Sequence, residues 1–497
     1  MVGMNNNKIM TRQYISDIIS LDEVKKWKPG NRILIRSQTG SGKSEFLKTV
    51  LYDYAKSIDK QILLMSNRIL LKKQNEFDLQ DKQDFITLEN YQSFESKILK
   101  GVNDIVSLFE PYCFICEDEL HYPFADGIFS DNTDLLIRHI KDTPKDKIFI
   151  FLTATPEVLL NYQPNFDFVY NLPKDYSYIK NIYFYDKDKT VNDKSIETII
   201  KNIPKDEKVL YFGSDVNDIY DLSTRFENAS FICSQGNKLK KKSDINTMLE
   251  IEQESKFSTR LLFATKVLYN GVNIKDPALK HIIIDTCDIV TFVQMLGRKR
   301  SMFPEDQITL YVNNYHKVKL GRLRDAVIKQ LKKLDDKEKI ISGNLAFQYP
   351  DYDFKKDDTA YKTNIAKHEN YLFQLKFLNK LLNSKYEDSF ARYICTYLEK
   401  DIRYTKDVFF EFEKKSFKEV IDIYLGVKMF KDTQEVFKER FFRQLFVTKK
   451  TNYKLRGLNA INKILAEDNL SYQIINRQQK SGSSKGSSYW ILQKGVK

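Results

Sequence analysis

Short, continuous apolar runs recur between residues 32 and 312, separated by stretches in which apolar and polar residues mix. Such runs are typical of strands buried on both faces of a parallel sheet. The runs are Arg32–Arg36, Tyr112–Cys116, Ile148–Ile150, Val209–Phe212, Ser230–Cys233, Leu261–Phe263, His281–Ile284 and Ile308–Val312. Helical segments such as 45–52 alternate with them, so the pattern predicts an α/β fold with parallel sheets.

The runs fall into two groups, which predicts two sheet-containing lobes in tandem. The first lobe spans 28–172, a linker spans 173–178, and the second lobe spans 179–316. Residues 1–27 precede them as an N-terminal segment with a short helix from Tyr14 to Val24. A chain of 497 residues has room for about three or four domains, so further domains are expected.

In residues 317–446 the apolar residues recur at a different spacing. Leucine, phenylalanine, tyrosine and lysine recur there at helical spacing, and one apolar stripe consists of Leu320, Leu323, Val327, Leu331 and Leu334. This predicts a mostly helical domain. Packing of the stripes against each other and against the second lobe is favoured over a ligand site.

The last segment, residues 447–497, predicts a small α+β module. An amphipathic helix around 458–470 precedes two β-like runs, 472–475 and 489–492, and the polar loop between the runs carries Lys480 and Lys485. A helix followed by a hairpin with a basic tip is winged-helix-like and suits contacts with nucleic-acid phosphates. The alternative is a solvated hairpin that caps the helical domain.

The first candidate for chemistry is the glycine-rich turn after the run 32–36. It reads Thr39, Gly40, Ser41, Gly42, Lys43, Ser44, and a helical stretch follows it. Strand, glycine-rich turn and helix together are the setting of a phosphate-binding loop, because glycines let backbone N–H groups surround an anion. Lys43 would reach the β- and γ-phosphates, and Ser44 would hold Mg²⁺. An ordinary glycine turn is the alternative.

The second candidate is the acidic tetrad Asp118, Glu119, Leu120, His121, which follows the apolar run 112–116. In a nucleotide-hydrolysing site the aspartate joins the Mg²⁺ shell and the glutamate polarises the attacking water. A solvated acidic turn is the alternative. A phosphate-binding loop earlier in the chain favours the catalytic interpretation.

Taken together, the chain resembles superfamily 2 helicases of the D-E-x-H type. Further segments that resemble motifs of this superfamily occur in the expected order: 63–68, 87–94, the T-A-T segment 151–156, 264–274, and the Q-x-x-G-R segment 294–300. The resemblance covers residues 32–300, and the ordered co-occurrence is more specific than any one motif. Its departures are Ser301 where the pattern ends in arginine, Asn273 where aspartate is more frequent, and no adenine-reading glutamine motif upstream.

The resemblance implies two RecA-like P-loop lobes with ATP between them and Mg²⁺ as cofactor. The second lobe would then supply Gln294, to orient the γ-phosphate or the water, and the arginine fingers Arg298 and Arg300. Gly271 would contact the nucleotide. The hydroxyls of Thr153 and Thr155 would couple the ATP site to the nucleic-acid groove.

The resemblance also implies a nucleic-acid strand that crosses both lobes. The residues expected to touch it are Asn67, Arg68, Gln92, Thr265 and Lys266. The continuation after His121 looks like bacterial phage, plasmid and mobile-element helicases. The expected partner is nucleic acid, with DNA preferred to RNA, and replication or mobile-element proteins are possible partners.

Composition agrees with a nucleic-acid partner. Lysine and arginine number 80 against 67 aspartates and glutamates, a formal charge of +13, which favours phosphate-rich partners. Five scattered cysteines predict reduced thiols and a cytoplasmic protein. No apolar stretch is long enough for a membrane span.

Two function classes remain open. One is an ATP-driven helicase or translocase that moves along or unwinds nucleic acid. The other is a nucleic-acid-stimulated ATPase switch or remodeller that binds duplex without separating its strands.

Overall fold

The computed structural model describes most of the chain. The described residues are 13–66, 82–99, 108–127, 132–134, 136–137, 143–159, 165–187, 195–234, 236–269, 272–341, 365–402, 406–407, 417–431, 433–435, 437–438, 441–442, 457–467, 471–479 and 486–495. Within them, no helix is long and apolar enough to cross a lipid bilayer.

The first lobe is built on a parallel sheet. Its strands are β1 Arg32–Arg36, β2 Gln61–Ser66, β3 Ile86–Asn90, β4 Tyr112–Asp118, β5 Ile148–Thr153 and β6 Phe168–Asn171. They lie in the order β3-β2-β4-β5-β1-β6, and every pairing is parallel. All carboxyl ends therefore meet at one edge, where open parallel sheets bind ligands.

Helical segments cover this sheet. They are α1 Ile15–Ile18, α2 Leu21–Val24, α3 Lys43–Phe46, a π-helical turn Leu47–Leu51, α4 Tyr52–Ser57, α5 Tyr91–Leu99, α6 Tyr122–Asp126 and a 3₁₀ turn Pro156–Leu159. The helix predicted over 14–24 is two short helices. The reason is Ser20, whose hydroxyl accepts the Glu23 N–H and so starts a new helix.

The second lobe repeats the architecture. Its strands are β7 Ile179–Tyr185, β8 Lys208–Phe212, β9 Ala229–Ile232, β10 Leu261–Ala264, β11 Leu279–Ile284, β12 Ile308–Asn313 and β13 Lys406–Asp407, in the order β13-β7-β12-β11-β8-β10-β9. Its helical segments are α7 Ser195–Asn202, α8 Val216–Ser223, α9 Ile245–Glu254, α10 Ile289–Leu296 and the 3₁₀ turns Lys240–Lys242 and Lys266–Tyr269. The predicted fold, two tandem RecA-like lobes with parallel sheets, is confirmed.

Alternation along the strands divides the apolar residues between two faces. In β1, Ile33 and Ile35 pack into one core, whereas Leu34 packs into the other. The core that contains Leu34 continues through the second lobe and into the helical region. The two lobes thus share one continuous apolar core, and burial of its side chains holds them together.

A helical region follows the second lobe, as predicted. Its helices are α11 Lys317–Ile341, α12 Ile365–Leu382 and α13 Ser389–Tyr397. Helix α12 packs along α11, which continues directly from the second lobe, and its amino-terminal end is anchored in the first lobe. There the Asp134 carboxylate accepts the N–H groups of Ile365 and Ala366, and the Asn370 side chain donates to the Phe124 carbonyl at 2.7 Å.

The C-terminal module contains the predicted helix and hairpin. They are α15 Leu458–Glu467, β15 Tyr472–Gln478 and β16 Ser488–Lys494. Two earlier elements, α14 Phe417–Asp422 and β14 Lys428–Met429, belong with them, because β14 pairs with β16 in a sheet of order β14-β16-β15. A separate apolar core around Tyr424, Ile461 and Leu492 holds this module together.

Helix α5 buries a carboxyl group in the first lobe. Glu95 is only 3% exposed, and its Oε1 has no hydrogen-bond partner. Burial, assisted by repulsion from Asp126, raises the pKa of Glu95 from 4.5 to about 7. Because the folded-state pKa lies above the unfolded value, this group favours the folded state at low pH and loses that contribution between pH 4.5 and about 7.

The substitution Glu95→Gln should therefore stabilise the protein at pH 8 and have little effect at pH 5. The gain in the free energy of unfolding at pH 8 is at most about 3 kcal/mol. A tenfold change in the proton-binding constant of the carboxyl group is worth about 1.4 kcal/mol, and solvent screens part of the effect. Thermal unfolding of both proteins at the two pH values measures the difference. Glu254→Gln, at an exposed position, is the control, and equal unfolding temperatures for wild type and Glu95→Gln at pH 8 would contradict the assignment.

Candidate functional site

The loop between β1 and α3 has the geometry of an anion-binding turn. Gly40 has φ +85° and Gly42 has φ +84°, which are left-handed values that glycine adopts without strain. Lys43 and Ser44 follow as the first residues of α3, Lys43 buried and Ser44 exposed. A phosphate at this point would meet the backbone N–H groups at the start of the helical segment.

Two hydroxyl groups of the loop are buried and lack hydrogen-bond partners. They belong to Ser37 and Ser41, each 3% exposed. A buried polar group without a partner is costly, and phosphate oxygens would supply acceptors for both hydroxyls. The loop therefore suits a phosphorylated ligand.

The Lys43 ammonium group lies between two carboxylates at the end of β4. Its Nζ is 3.4 Å from Asp118 Oδ1 and 3.4 Å from Glu119 Oε1. Burial disfavours the charge of Lys43, but the attraction of Asp118 and Glu119 outweighs it, so the pKa of Lys43 is raised. Lys43 is charged at neutral pH, so its ammonium group can leave the two carboxylates and pair with an incoming phosphate.

Glu119 is held in an unusual conformation. Its φ is +58°, a left-handed value that is uncommon for a residue with a side chain, and its N–H donates to Asp118 Oδ1 at 3.0 Å. Burial would raise the pKa of Glu119, but the attraction of the Lys43 ammonium group, with a smaller contribution from Arg298, outweighs burial and lowers it. Glu119 is thus ionised and able to accept a proton. Burial raises the pKa of its neighbour Asp118.

The second lobe completes the network around Glu119. Gln294, fully buried in α10, donates from Nε2 to Glu119 Oε2 at 3.1 Å. Arg298 in turn donates from Nη2 to Gln294 Oε1 at 3.1 Å and from Nη1 to the Val272 carbonyl at 3.1 Å. The structure therefore joins Lys43, Glu119, Gln294 and Arg298 across the two lobes.

Arg300 lies on the same side but is bonded differently. Its Nε donates to Asn273 Oδ1 at 2.7 Å, and its charge acts on Lys43. Asn273, noted above as a departure in the sequence, is thus the acceptor for Arg300 through its amide oxygen. Both predicted arginine fingers thus reach the interlobe region, each held by a second-lobe acceptor.

The end of α10 touches the phosphate-binding loop itself. A Cβ atom added to Gly297 would lie 2.0 Å from Thr39 Oγ1 and 2.8 Å from Thr39 Cβ. Gly297 has an ordinary helical φ of −68°, so glycine is required here for space and not for backbone conformation. A change in the separation of the lobes therefore changes this contact.

His121 connects the acidic tetrad to the T-A-T segment. Its Nδ1 is 3.3 Å from Glu119 Oε2 and 3.5 Å from Thr153 Oγ1. Thr153 Oγ1 also accepts the Thr155 N–H at 3.1 Å, and the buried Thr155 hydroxyl has no partner. Burial lowers the pKa of His121, so the ring is neutral at pH 7.

The residues predicted to touch nucleic acid follow strand ends in both lobes. Gln92 lies at the start of α5, directly after β3, and Thr265 and Lys266 follow β10. Lys266 Nζ is 3.9 Å from Asp288 Oδ2. The remaining residues predicted from the sequence to bind a ligand lie outside the described part of the chain: Asn67, Arg68, Gly271, Lys480 and Lys485.

Two sets of contacts to the loop were not foreseen from the sequence. The Ile15 N–H donates to the Ser41 carbonyl at 3.0 Å, and the Tyr14 ring packs on Gly42. Gln38 exchanges two hydrogen bonds with the linker residue Asp175, at 2.7 and 2.8 Å. The sequence predicted a short helix from Tyr14 to Val24 but did not indicate its packing partner.

The donor set fits a magnesium ion held together with a phosphate. In the described residues no group of three or more histidine, cysteine or acidic side chains could hold a metal ion alone. Mg²⁺ typically binds through one or two protein oxygens and completes its shell with phosphate oxygens and water. Ser44 and Asp118, at adjoining ends of α3 and β4, are residues of that kind.

Comparison with known proteins adds no family. No protein-family model matches the chain, and no curated protein matches it. Among solved structures, the chain is similar to Mss116p, with deletions of its NTE and C-tail, bound to ssRNA and AMP-PNP. The match is 13% identical, covers 72% of this chain and 87% of that chain, and has a TM-score of 0.42, too low to decide family or function.

The substitution Gly297→Ala should separate the lobes. The added methyl group cannot fit against Thr39, so the α10 end must move away from the loop. Attaching one fluorophore to each lobe and measuring energy transfer should show lower transfer than in the wild type. Gly321→Ala is the control, because a Cβ there meets nothing within 4 Å.

Energy transfer in Gly297→Ala equal to that of the wild type would show that the loop contact does not set the lobe separation. The double substitution Gly297→Ala with Thr39→Gly removes the opposing side chain and should restore the transfer.

Proposed function

We propose that the protein is an ATP-dependent superfamily 2 helicase or translocase of the D-E-x-H type. The observation that carries the proposal is the buried network from Lys43 through Glu119 to Gln294 and Arg298, which crosses from one lobe to the other. Hydrolysis of a nucleotide bound in this network would be sensitive to the separation of the lobes. That sensitivity is what a motor needs to convert hydrolysis into movement.

In the proposed reaction, the triphosphate binds in the loop 37–44. The Lys43 ammonium group then pairs with its phosphate oxygens instead of with the two carboxylates. Once Lys43 has moved to the phosphate, Glu119 loses the charge that does most to lower its pKa, so it becomes a stronger base for the attacking water. Gln294, already bonded to Glu119, orients that water, and the arginines stabilise the charge that develops on the transferred phosphoryl group. Mg²⁺, held through Ser44 and Asp118, would neutralise charge on the phosphate oxygens.

The nucleic-acid strand is proposed to cross both lobes near Gln92, Thr265 and Lys266. These residues follow strand ends in separate lobes, so a strand held at both places is gripped by each lobe in turn. Asn67, Arg68, Lys480 and Lys485 would extend the same contacts. DNA is proposed in preference to RNA, on the resemblance to mobile-element proteins, and the excess of positive charge suits either.

The domain boundaries and the location are proposals as well. The sequence predicts the helical region at 317–446 and the winged-helix-like end at 447–497; because α14 and β14 share the core and the sheet of that end, we propose that it includes residues from 417 onward. The five cysteines are free thiols in the structure, which supports a reducing cytoplasm as the compartment.

Lys43→Ala should lower ATP turnover by at least about 100-fold, because removing one preorganised donor to a reacting oxyanion costs about that much. Glu119→Gln should retain nucleotide binding and lose hydrolysis by about 10²–10⁴-fold, because the water loses its base. Phosphate release and nucleotide-binding assays measure the two effects. Lys56→Ala, at an exposed lysine of α4, is the matched control.

Turnover near the wild-type rate in either Lys43→Ala or Glu119→Gln would remove the basis for the assigned site. Circular dichroism should accompany both assays, because Lys43→Ala leaves two buried carboxylates without their cation.

Replacing Thr153 and Thr155 together by alanine should leave most ATP hydrolysis intact and abolish strand separation. Thr153 touches His121 and Thr155 but neither Lys43 nor the carboxylates, so its hydroxyl transmits position and performs no chemistry. ATP turnover and displacement of a labelled strand should be measured on the same preparation. Thr224→Ala, at an exposed helix end, is the control, and equal loss of both activities would contradict the coupling role.

The displacement assay also separates the two function classes. A helicase releases the strand, whereas a switch or remodeller hydrolyses ATP on duplex without releasing it. Turnover measured in parallel with single-stranded DNA, duplex DNA and RNA identifies the preferred partner.

A further inference from the structure

A second candidate ligand site lies in the helical region, apart from the phosphate-binding loop. It is a cavity of about 500 Å³ between the carboxyl end of α12 and helix α13. The lining residues that matter are cationic, aromatic or hydroxylic: Lys380, Tyr386, Ser389, Arg392, Tyr393 and Lys400. The volume lies within the range of about 300–1,000 Å³ that is typical of small-ligand sites.

Cations and aromatic rings alternate around this cavity. The Arg392 guanidinium lies 4.0 Å from the centre of the Tyr386 ring, and Lys380 Nζ lies 5.0 Å from the centre of the Tyr393 ring. Tyr386 is 42% exposed, and Lys385 Nζ also lies 5.1 Å from the centre of its ring, so a flat ligand that stacks on the exposed part of the ring would have two cations beside it. A flat ring can stack on tyrosine while an attached anion pairs with the neighbouring lysine or arginine.

The polar wall of the cavity has a hydroxyl group with no hydrogen-bond partner. Ser389 is 4% exposed, and its Oγ is buried and unpaired. It is the first residue of α13, a helix of nine residues, and the preceding Asp388 side chain does not cap that helix. A ligand oxygen here would meet the Ser389 hydroxyl and the positive end of the helix.

The charges that face the cavity are mostly positive. Lys380, Arg392 and Lys400 line it, against the single carboxylate of Asp401 among the lining residues. Asp388 pairs with Arg392 at 2.8 Å and neutralises part of this excess. The remaining positive charge favours a ligand that carries phosphate over a neutral ring compound.

We propose that this cavity binds a nucleoside phosphate, with the base against Tyr386 and the phosphate among Lys380, Lys400 and Ser389. The same chemistry can come from one nucleotide of a single strand or from a free mononucleotide. The site is distinct from the proposed ATP site, and testing it needs no ATP turnover.

Photocrosslinking to the full-length chain tests this assignment. The probes are 5-iodouridine monophosphate and a single-stranded 12-mer with one 5-iodouridine. Irradiation is done without ATP or an ATP analogue, because either would compete with the probe for the proposed cavity, and the Lys43→Ala variant shows whether the phosphate-binding loop contributes to the crosslink. Mass spectrometry should then place the crosslink in the peptide that contains Tyr386 and Tyr393.

Lys380→Ala and Ser389→Ala should each reduce the yield of this crosslink by at least about fivefold, because each removes a hydrogen bond to the charged phosphate. Lys376→Ala is the matched control, because Lys376 is an exposed lysine one turn earlier in α12 and does not line the cavity. Ser389→Ala removes a hydroxyl that has no partner, so it should fold normally.

A crosslink with the 12-mer alone identifies a strand as the source, and one with the monophosphate identifies a free nucleotide; either supports the site. No crosslink in residues 380–402 with either probe, or equal yields in all variants, overturns it. Lys43→Ala should crosslink like the wild type, so a failure of the proposed ATP site would not be mistaken for a failure of this one.

Discussion

A lysine buried beside a phosphate-binding loop must have anionic partners, and this requirement organises the centre of the molecule. Lys43 begins the helix after β1, Asp118 ends β4 and Glu119 follows it, and β5 lies between the two strands. Because the sheet is parallel, all three strands end at the same edge and the charges can meet. The Gln294 side chain of the other lobe donates to the second carboxylate oxygen of Glu119. The hydrogen bonding of the Glu119 carboxylate therefore depends on the position of the second lobe.

Such a cluster is a poor source of stability. Desolvating charges costs about as much as their attraction returns, so well-packed apolar residues would stabilise this centre as well or better. Glu119 adds a left-handed backbone conformation, which is also unfavourable. Strained backbone and strongly shifted pKa values concentrate at functional sites, which is consistent with selection of this centre for chemistry and not for stability.

The parts of the fold that could be predicted from the sequence are those determined by residues that are close together in the chain. The apolar runs identify the strands, and the glycines at 40 and 42 mark a turn with left-handed φ, whatever the rest of the chain does. Contacts that arise from docking could not be foreseen. Gly297 has a normal helical φ, so its need for glycine exists only because Thr39 lies opposite it. Strand β13 has two residues and no apolar pattern, and it is visible only beside β7.

The placement of site residues divides in the same way. The acidic tetrad, Gln294 and the arginines were identified by type and order, and the structure brings them together. The acceptors that hold the arginines, Val272 O and Asn273 Oδ1, could not be derived, because they depend on how the segment after α10 folds back. The Tyr14 contact with Gly42 was missed because nothing in the composition of a short helix reveals its packing partner.

The bridging position of α12 has a geometric consequence. The lobes are joined once by the linker at 173–178, and again where α12 is fixed to the first lobe at one end and lies along α11 of the second lobe. Two separated attachments define an axis, and a rotation about that axis moves neither of them. A rotation of one lobe about the line through these two attachments leaves both attachments intact while it changes the distance between Thr39 and Gly297.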